Sequence, residues 1–241
     1  MEKAHSDERE GRIGIVSVVI PAYNECATIA ELLAQLRSVP WPTQIIVVDD
    51  GSSDGTTELL EAEAAAGKIE LTVHPTNRGK GAAIRSGLAL VRGDVVVVQD
   101  ADLEYQPADY PLLLAPIEQG IADVVYGSRF LGSHPGMYAL HSVGNRILTM
   151  TCNVLFGSSL SDLETGYKVL SAEVARSLPL RSDRWGFDPE ITARLLRRGY
   201  HIHEVPVTYS GRTFGDGKKI SWKDGLIVVA TLVRYRFFDR G

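Results

Sequence analysis

At 241 residues, 44% hydrophobic and 23% charged, the chain is long enough to bury one large core and has the composition of an ordinary globular protein. Its two cysteines, Cys26 and Cys152, exclude a disulfide framework and structural zinc, and they favour a reducing, intracellular setting. The net charge of −5 is uneven: from Arg176 onward there are 13 Lys+Arg against 7 Asp+Glu, net +6, which leaves −11 for the 175 residues before it. A basic C-terminal third suits anionic lipid or phosphate as well as plain solvation, and no nucleic-acid partner is expected.

Met1 to Arg12 is polar and mixed in charge, and reads as a disordered lead-in with no signal peptide. The β-branched run Ile15 to Ile20 predicts a strand that Pro21, having no N–H, closes before Ala22, Tyr23, Asn24 and Glu25. A helix follows from about Ala27 to Arg37, with Ile29, Leu32, Leu33 and Leu36 on one stripe. The second strand, Gln44 to Val48, ends in Asp49-Asp50-Gly51-Ser52-Ser53-Asp54-Gly55. Asp54 is the expected N-cap of a helix reaching about Ala66. A third strand, Ile69 to His74, leads through Asn77-Arg78-Gly79-Lys80-Gly81 to a helix over Ala82 to Val91.

The stretch Gly93 to Glu104 organises the rest. Four valines in a row predict a short strand buried inside a parallel sheet, and the run stops at Asp100, Asp102 and Glu104, spaced two apart. If the extended conformation persists, alternate side chains converge just past the strand's carboxyl end, where open α/β sheets bind ligands. Three like charges repel unless a cation sits among them, and hard oxygen ligands suit Mg2+ or Mn2+. The plainer reading is a solvated acidic turn. A helix near Tyr110 to Gln119 and a strand over Ala122 to Tyr126 follow, ending in Gly127-Ser128-Arg129-Phe130. The alternation predicts an α/β fold: a mainly parallel sheet covered by helices on both faces. No GxGxxG opens a helix after the first strand, and Gly79-Lys80-Gly81 lacks P-loop spacing.

Later in the chain, Asp162 to Leu170 returns to the sheet, a helix runs from Ile191 to Arg198, and His201 to Val207 is a late strand. His201 and His203 share a face, but a His-x-His pair without a third ligand reads as surface or packing.

Val-Ile-Pro-Ala-Tyr-Asn-Glu (19–25), Val-Asp-Asp-Gly-Ser-Ser-Asp-Gly (48–55), Asn-Arg-Gly-Lys-Gly (77–81) and Asp-Ala-Asp-Leu-Glu (100–104) together resemble the family 2 glycosyltransferases of GT-A fold. Within that family the chain is most similar to the dolichyl- and polyprenyl-phosphate sugar synthases. Gly-Ser-Arg-Phe (127–130), Asp-Leu-Glu-Thr-Gly-Tyr-Lys (162–168), Phe-Asp-Pro-Glu (187–190) and Glu-Val-Pro-Val (204–207) continue the match over about residues 15 to 225. Many such synthases have Gln where this chain has Glu104.

The resemblance implies metal-dependent, inverting transfer of a hexose from a nucleotide sugar, of GDP-mannose or UDP-glucose type, to a polyprenyl (dolichyl or undecaprenyl) phosphate. Asp102 and Glu104, with Asp100 nearby, would hold Mg2+ or Mn2+ on the donor diphosphate. Pro21, Ala22, Tyr23, Asn24 and Glu25, with Val48, Asp50, Lys80, Asp100, Ala101 and Asp102, would form the nucleotide site, and Arg212 and Lys218 match a loop that folds over the diphosphate. Arg129 and Arg146 are the candidates for the acceptor phosphate, since arginine's planar fork suits phosphate oxygens. Catalytic roles fall to Asp102, Arg129 and Asp188. Asp188 would serve as base only for a hydroxyl acceptor, the alternative reading, and it doubles as a candidate N-cap before Ile191.

Ser133 to Gly157 is strongly apolar and reads either as a buried helix or as an amphipathic helix dipping into lipid headgroups; the resemblance favours the second. The eight-residue apolar run Leu226 to Val233 is too short to span a bilayer, and with Arg234, Arg236 and Arg240 it has the composition of an interfacial anchor. The expected organisation is a lead-in over 1–12, a catalytic domain over 13–217 and a basic, apolar C-terminal segment over 218–241. The expected location is cytoplasmic, peripheral on the membrane's cytoplasmic face, with room for a membrane-protein partner.

Overall fold

In the computed structural model, described over residues 13–41, 43–132, 139–211 and 222–239, strands and helices alternate from the start. The first half comprises β1 (Val16–Ala22), α1 (Ile29–Leu36), β2 (Thr43–Asp49), α2 (Thr56–Ala65), β3 (Glu70–Val73), α3 (Lys80–Leu88) and β4 (Val95–Val98). It continues through α4 (Tyr110–Glu118), β5 (Val124–Ser128), α5 (Ala139–Phe156), β6 (Lys168–Ser171), α6 (Ala172–Ser177), α7 (Phe187–Arg197), β7 (Ile202–Pro206) and α8 (Trp222–Phe237).

Seven strands make one sheet in the order β3-β2-β1-β4-β6-β5-β7. β6 is antiparallel to both β4 and β5, and the remaining pairs are parallel, so the expected mainly parallel sheet is observed. The valine run explains the middle of it. Val95 and Val97 point to one face, with Ile29, Leu33, Tyr110 and Leu113. Val96 and Val98 point to the other, with Ile84, Cys152, Phe187 and Ile191. With a period of two and a helical layer on each side, all four positions are buried, each contributing about 1.5–3 kcal/mol of transfer free energy. From β1 the chain winds outward to β2 and β3 on one side and returns to β4 on the other. The crevice beyond the carboxyl ends of β1 and β4 is therefore the switch point at which open α/β sheets place ligands.

Three local expectations are corrected. Pro21 does not close β1: the strand runs on to Ala22 beside β2, past the last residue paired with β4 (Val19 with Val98), where a missing N–H breaks no bond to β4. The residue capping α2 is Gly55, at φ 98°, while Asp54 Oδ1 accepts from the Thr56 N–H at 3.1 Å. Asp188 is no N-cap either. α7 begins at Phe187 behind Gly186, which puts Asp188 in the first turn, where the positive end of the helix dipole favours a carboxylate.

Candidate active site

Two loops meet at the ends of β1 and β2. Asn24, at φ 57°, donates its N–H to Ser52 Oγ at 2.9 Å and accepts from the Ser53 N–H at 2.9 Å, which ties the Pro21–Glu25 turn to the loop after β2. The Glu25 N–H reaches Thr56 Oγ1 at 2.9 Å, and Glu25 Oε2 accepts from Thr28 Oγ1 at 2.8 Å. Tyr23 is exposed at the rim, and Val48 is buried beneath. Asp50 is buried as well. Its carboxylate accepts from the N–H groups of Arg78 and Gly79 and lies 2.7 Å from His74 Nδ1, so it fastens the loop leading to Lys80 against β2.

Past β4 the structure departs from the expected extended run. The chain turns after Val98, and Leu103 takes a left-handed backbone at φ 60°. Alternation therefore no longer aligns the three carboxylates. Asp100 Oδ1 pairs with Lys80 Nζ at 2.6 Å, Asp102 Oδ1 accepts from the Glu104 N–H at 3.1 Å, and Glu104 Oε2 accepts from the Tyr209 hydroxyl at 2.8 Å. The convergent cluster of Asp100, Asp102 and Glu104 is not formed: among the described residues, no three His, Cys, Asp or Glu side chains make a group that could hold a metal. The half-buried Asp102 and Glu104 nevertheless suit Mg2+ or Mn2+, since such ions are commonly held by one or two carboxylates together with substrate phosphates.

Beneath this turn lies a buried network of charge. Lys168, on β6 and fully buried, places Nζ 2.6 Å from Asp188 Oδ1, donates also to the Thr165 carbonyl, and lies 5.0 Å from the centre of the Tyr126 ring. Burial pushes the Asp188 carboxyl up, but the ammonium groups of Lys168 and Lys80 outweigh it and hold Asp188 below the usual carboxylate range. Burial likewise works against the Lys80 ammonium, and Asp100 and Asp188 hold it charged. Gly166 lets this network close, because a Cβ there would collide with the Asp100 carboxylate and the Tyr105 ring.

Arg129 follows the end of β5. Its guanidinium grips Asp162 through two bonds of 2.7 Å and lies 5.3 Å from the centre of the Tyr209 ring. Asp162 is itself held, its N–H donating to Glu204 Oε1 at 3.0 Å. Arg146 is an exposed residue of α5, stacked 5.2 Å from the centre of Phe130, the residue after Arg129. Pro21, Ala22, Asp50, Asp100 and Ala101 thus lie at or just past the ends of β1, β2 and β4, while Asp188 pairs with Lys168 and Arg129 with Asp162. Arg212 and Lys218 lie outside the described residues. Lys168, Asp162 and Glu164 received no role from the sequence, although all three sit in the Asp-Leu-Glu-Thr-Gly-Tyr-Lys motif; an isolated lysine opening an apolar strand was the available signal.

α5 presents Val143, Ile147, Met150 and Val154 to solvent at helical spacing, each at least 54% exposed, while Cys152 on its other face is buried. Among the described residues no helix is long and apolar enough to cross a membrane.

The model for glycosyl transferase family 2 matches residues 17–178. Glycosyltransferase AglJ of Haloferax volcanii is 32% identical over 91% of this chain and 71% of its own length. The undecaprenyl-phosphate mannosyltransferase of Micrococcus luteus is 33% identical over 84% of this chain and 86% of its own. Glucosyl-3-phosphoglycerate synthase of Mycobacterium tuberculosis, solved with Mn2+, uridine diphosphate and glucosyl-3-phosphoglycerate, superposes with a TM-score of 0.71 at 24% identity. That superposition covers 94% of this chain and 81% of the other, and shows the shared fold.

Proposed function

We propose, for a chain that belongs to glycosyl transferase family 2 and is therefore a glycosyltransferase, that it moves a hexose from a nucleotide sugar to a polyprenyl phosphate at a membrane surface. The observation that carries the choice of acceptor is the exposed apolar stripe of α5. A soluble hydroxyl acceptor gives a protein no reason to leave Val143, Ile147, Met150 and Val154 in water, whereas an isoprenoid tail and the lipid around it do. The M. luteus relative, by its name, acts on such a lipid phosphate.

The donor nucleotide sits against the Pro21–Glu25 turn, Val48, Asp50 and Ala101, with Lys80 and Asp100 at the diphosphate. Asp102 and Glu104 would hold a divalent ion at the donor diphosphate. Such an ion neutralises the charge that develops on the leaving nucleoside diphosphate. Arg129 and Arg146 bind the acceptor phosphate and aim one oxygen at the anomeric carbon; that oxygen forms the new bond as the bond to the diphosphate breaks, with inversion. A phosphate monoester is already anionic, so no base is required. Asp188 fits this economy: held ionised below its usual range, it is a weak proton acceptor and an effective anchor for Lys168.

The protein works as a catalytic domain over residues 13–217 followed by a basic, apolar segment, peripheral on the cytoplasmic face. Incubation with GDP-mannose or UDP-glucose, with and without Mn2+, and with polyprenyl phosphate against soluble hydroxyl acceptors tests the assignment. Metal-dependent label transfer into the lipid fraction is expected, and transfer to the soluble acceptors alone overturns it.

A further inference from the structure

Glu164 lies in the turn that enters β6, and its Oε1 is shut away from solvent with no hydrogen-bond partner among the described residues. An unpaired buried polar atom costs about 1–3 kcal/mol, and native proteins carry few without a reason. The charged and titratable groups that act on Glu164 include Arg129 after β5, Asp162 from the same turn, Lys168 from β6, Asp188 from α7 and the Cys152 thiol from α5. Asp162 is committed to Arg129 and Asp188 to Lys168. Burial, and next the negative Asp188, push the Glu164 carboxyl up to about 8 against the pull of Lys168 and Arg129. Two neighbouring carboxyl groups are thereby driven apart, one ionised and one an acid near neutral pH.

The sheet order places this acid. The donor residues stand at the ends of β2, β1 and β4, while Glu164, Lys168 and Arg129 belong to the β6–β5 side, beneath the helix that bears the exposed apolar stripe. We propose that Glu164 is an acceptor-binding residue: as a neutral carboxylic acid it donates a hydrogen bond to an oxygen of the phosphate held beside Arg129. The inference rests on the reading of the acceptor as a phosphate. An ionised carboxylate there would repel the incoming dianion; an acid gives it a donor and completes its own unpaired oxygen.

The test compares the full-length wild type, Glu164→Gln and Glu164→Ala in transfer to a short-chain polyprenyl phosphate, with donor affinity measured separately as a control on folding. Gln keeps a neutral donor, so E164Q is expected to stay within about threefold of wild type in kcat/KM and to hold its activity above about pH 8, where wild type declines. E164A is expected to raise the acceptor KM about tenfold to a hundredfold with donor affinity unchanged. An E164Q as impaired as E164A, an E164A with wild-type acceptor KM, or a loss confined to donor affinity each overturns the assignment. Wild type that fails with polyprenyl phosphate but uses a soluble hydroxyl overturns the acceptor reading itself, a result distinct from any difference among the variants.

Discussion

Lys168 Nζ lies 2.6 Å from Asp188 Oδ1, joining the antiparallel strand β6 to the first turn of α7 through a lysine with no solvent exposure. Removing the cation alone strands a carboxylate in the core. Lys168→Met is expected to cost about 3–5 kcal/mol in urea unfolding, and the double variant with Asp188→Asn to recover most of that loss. Equal stability of the single and double variants would show that the pair is not coupled.

Asp102 presents the opposite case. It is half-buried in the turn after β4, and its Oδ1 accepts the Glu104 N–H within that turn. Asp102→Ala should abolish metal-dependent transfer and shift unfolding free energy by no more than about 1 kcal/mol. Turnover equal to wild type rejects the metal role, and a large loss of stability rejects the view that the residue serves the ligand rather than the fold.

The parts of this architecture that follow from local pattern were legible. The β-branched runs of β1, β2 and β4 and the stripe Ile29, Leu32, Leu33, Leu36 announce their burial by period alone, and all four stripe residues are buried. What failed was extrapolation beyond an element's end. Carrying β4's extended geometry through Glu104 predicted three converging carboxylates, but Leu103 at φ 60° carries no glycine or asparagine signal to mark the turn. The Lys168–Asp188 pair was illegible for another reason. Twenty residues separate the partners, and only the insertion of β6 between β4 and β5 brings them together. Reading Asp188 as a cap was a boundary error of four residues, since α7 starts at Phe187.

Stability should also report Glu164. Its folded-state pKa stands near 8 against an ordinary 4.5, so the folded protein binds the extra proton more tightly than the unfolded chain. The associated stabilisation is fully present below the ordinary value and is lost as pH rises through the folded one. Unfolding free energy of wild type should therefore fall between about pH 5 and about pH 9 more steeply than that of Glu164→Gln, which has no proton to lose. Parallel pH profiles for the two proteins would place the Glu164 carboxyl in its usual range.

The α5 stripe gives the membrane reading its sharpest consequence. Ile147 and Met150 are 60% and 68% exposed and stand one helical turn apart, so replacing both leaves the core face around Cys152 and Leu148 untouched. Each large apolar side chain seated in lipid contributes about 1.5–3 kcal/mol, and a factor of ten in affinity corresponds to 1.4 kcal/mol. Ile147→Glu with Met150→Glu should thus weaken binding to anionic vesicles about a hundredfold or more, with nucleotide affinity unchanged. Activity should divide in the same way, dropping for a long-chain polyprenyl phosphate embedded in vesicles and persisting for a short, water-soluble analogue, because the variant loses its seat on the bilayer and keeps its cleft. Vesicle co-sedimentation alongside both assays checks this, and equal co-sedimentation of variant and wild type would assign the stripe to a protein partner instead of lipid.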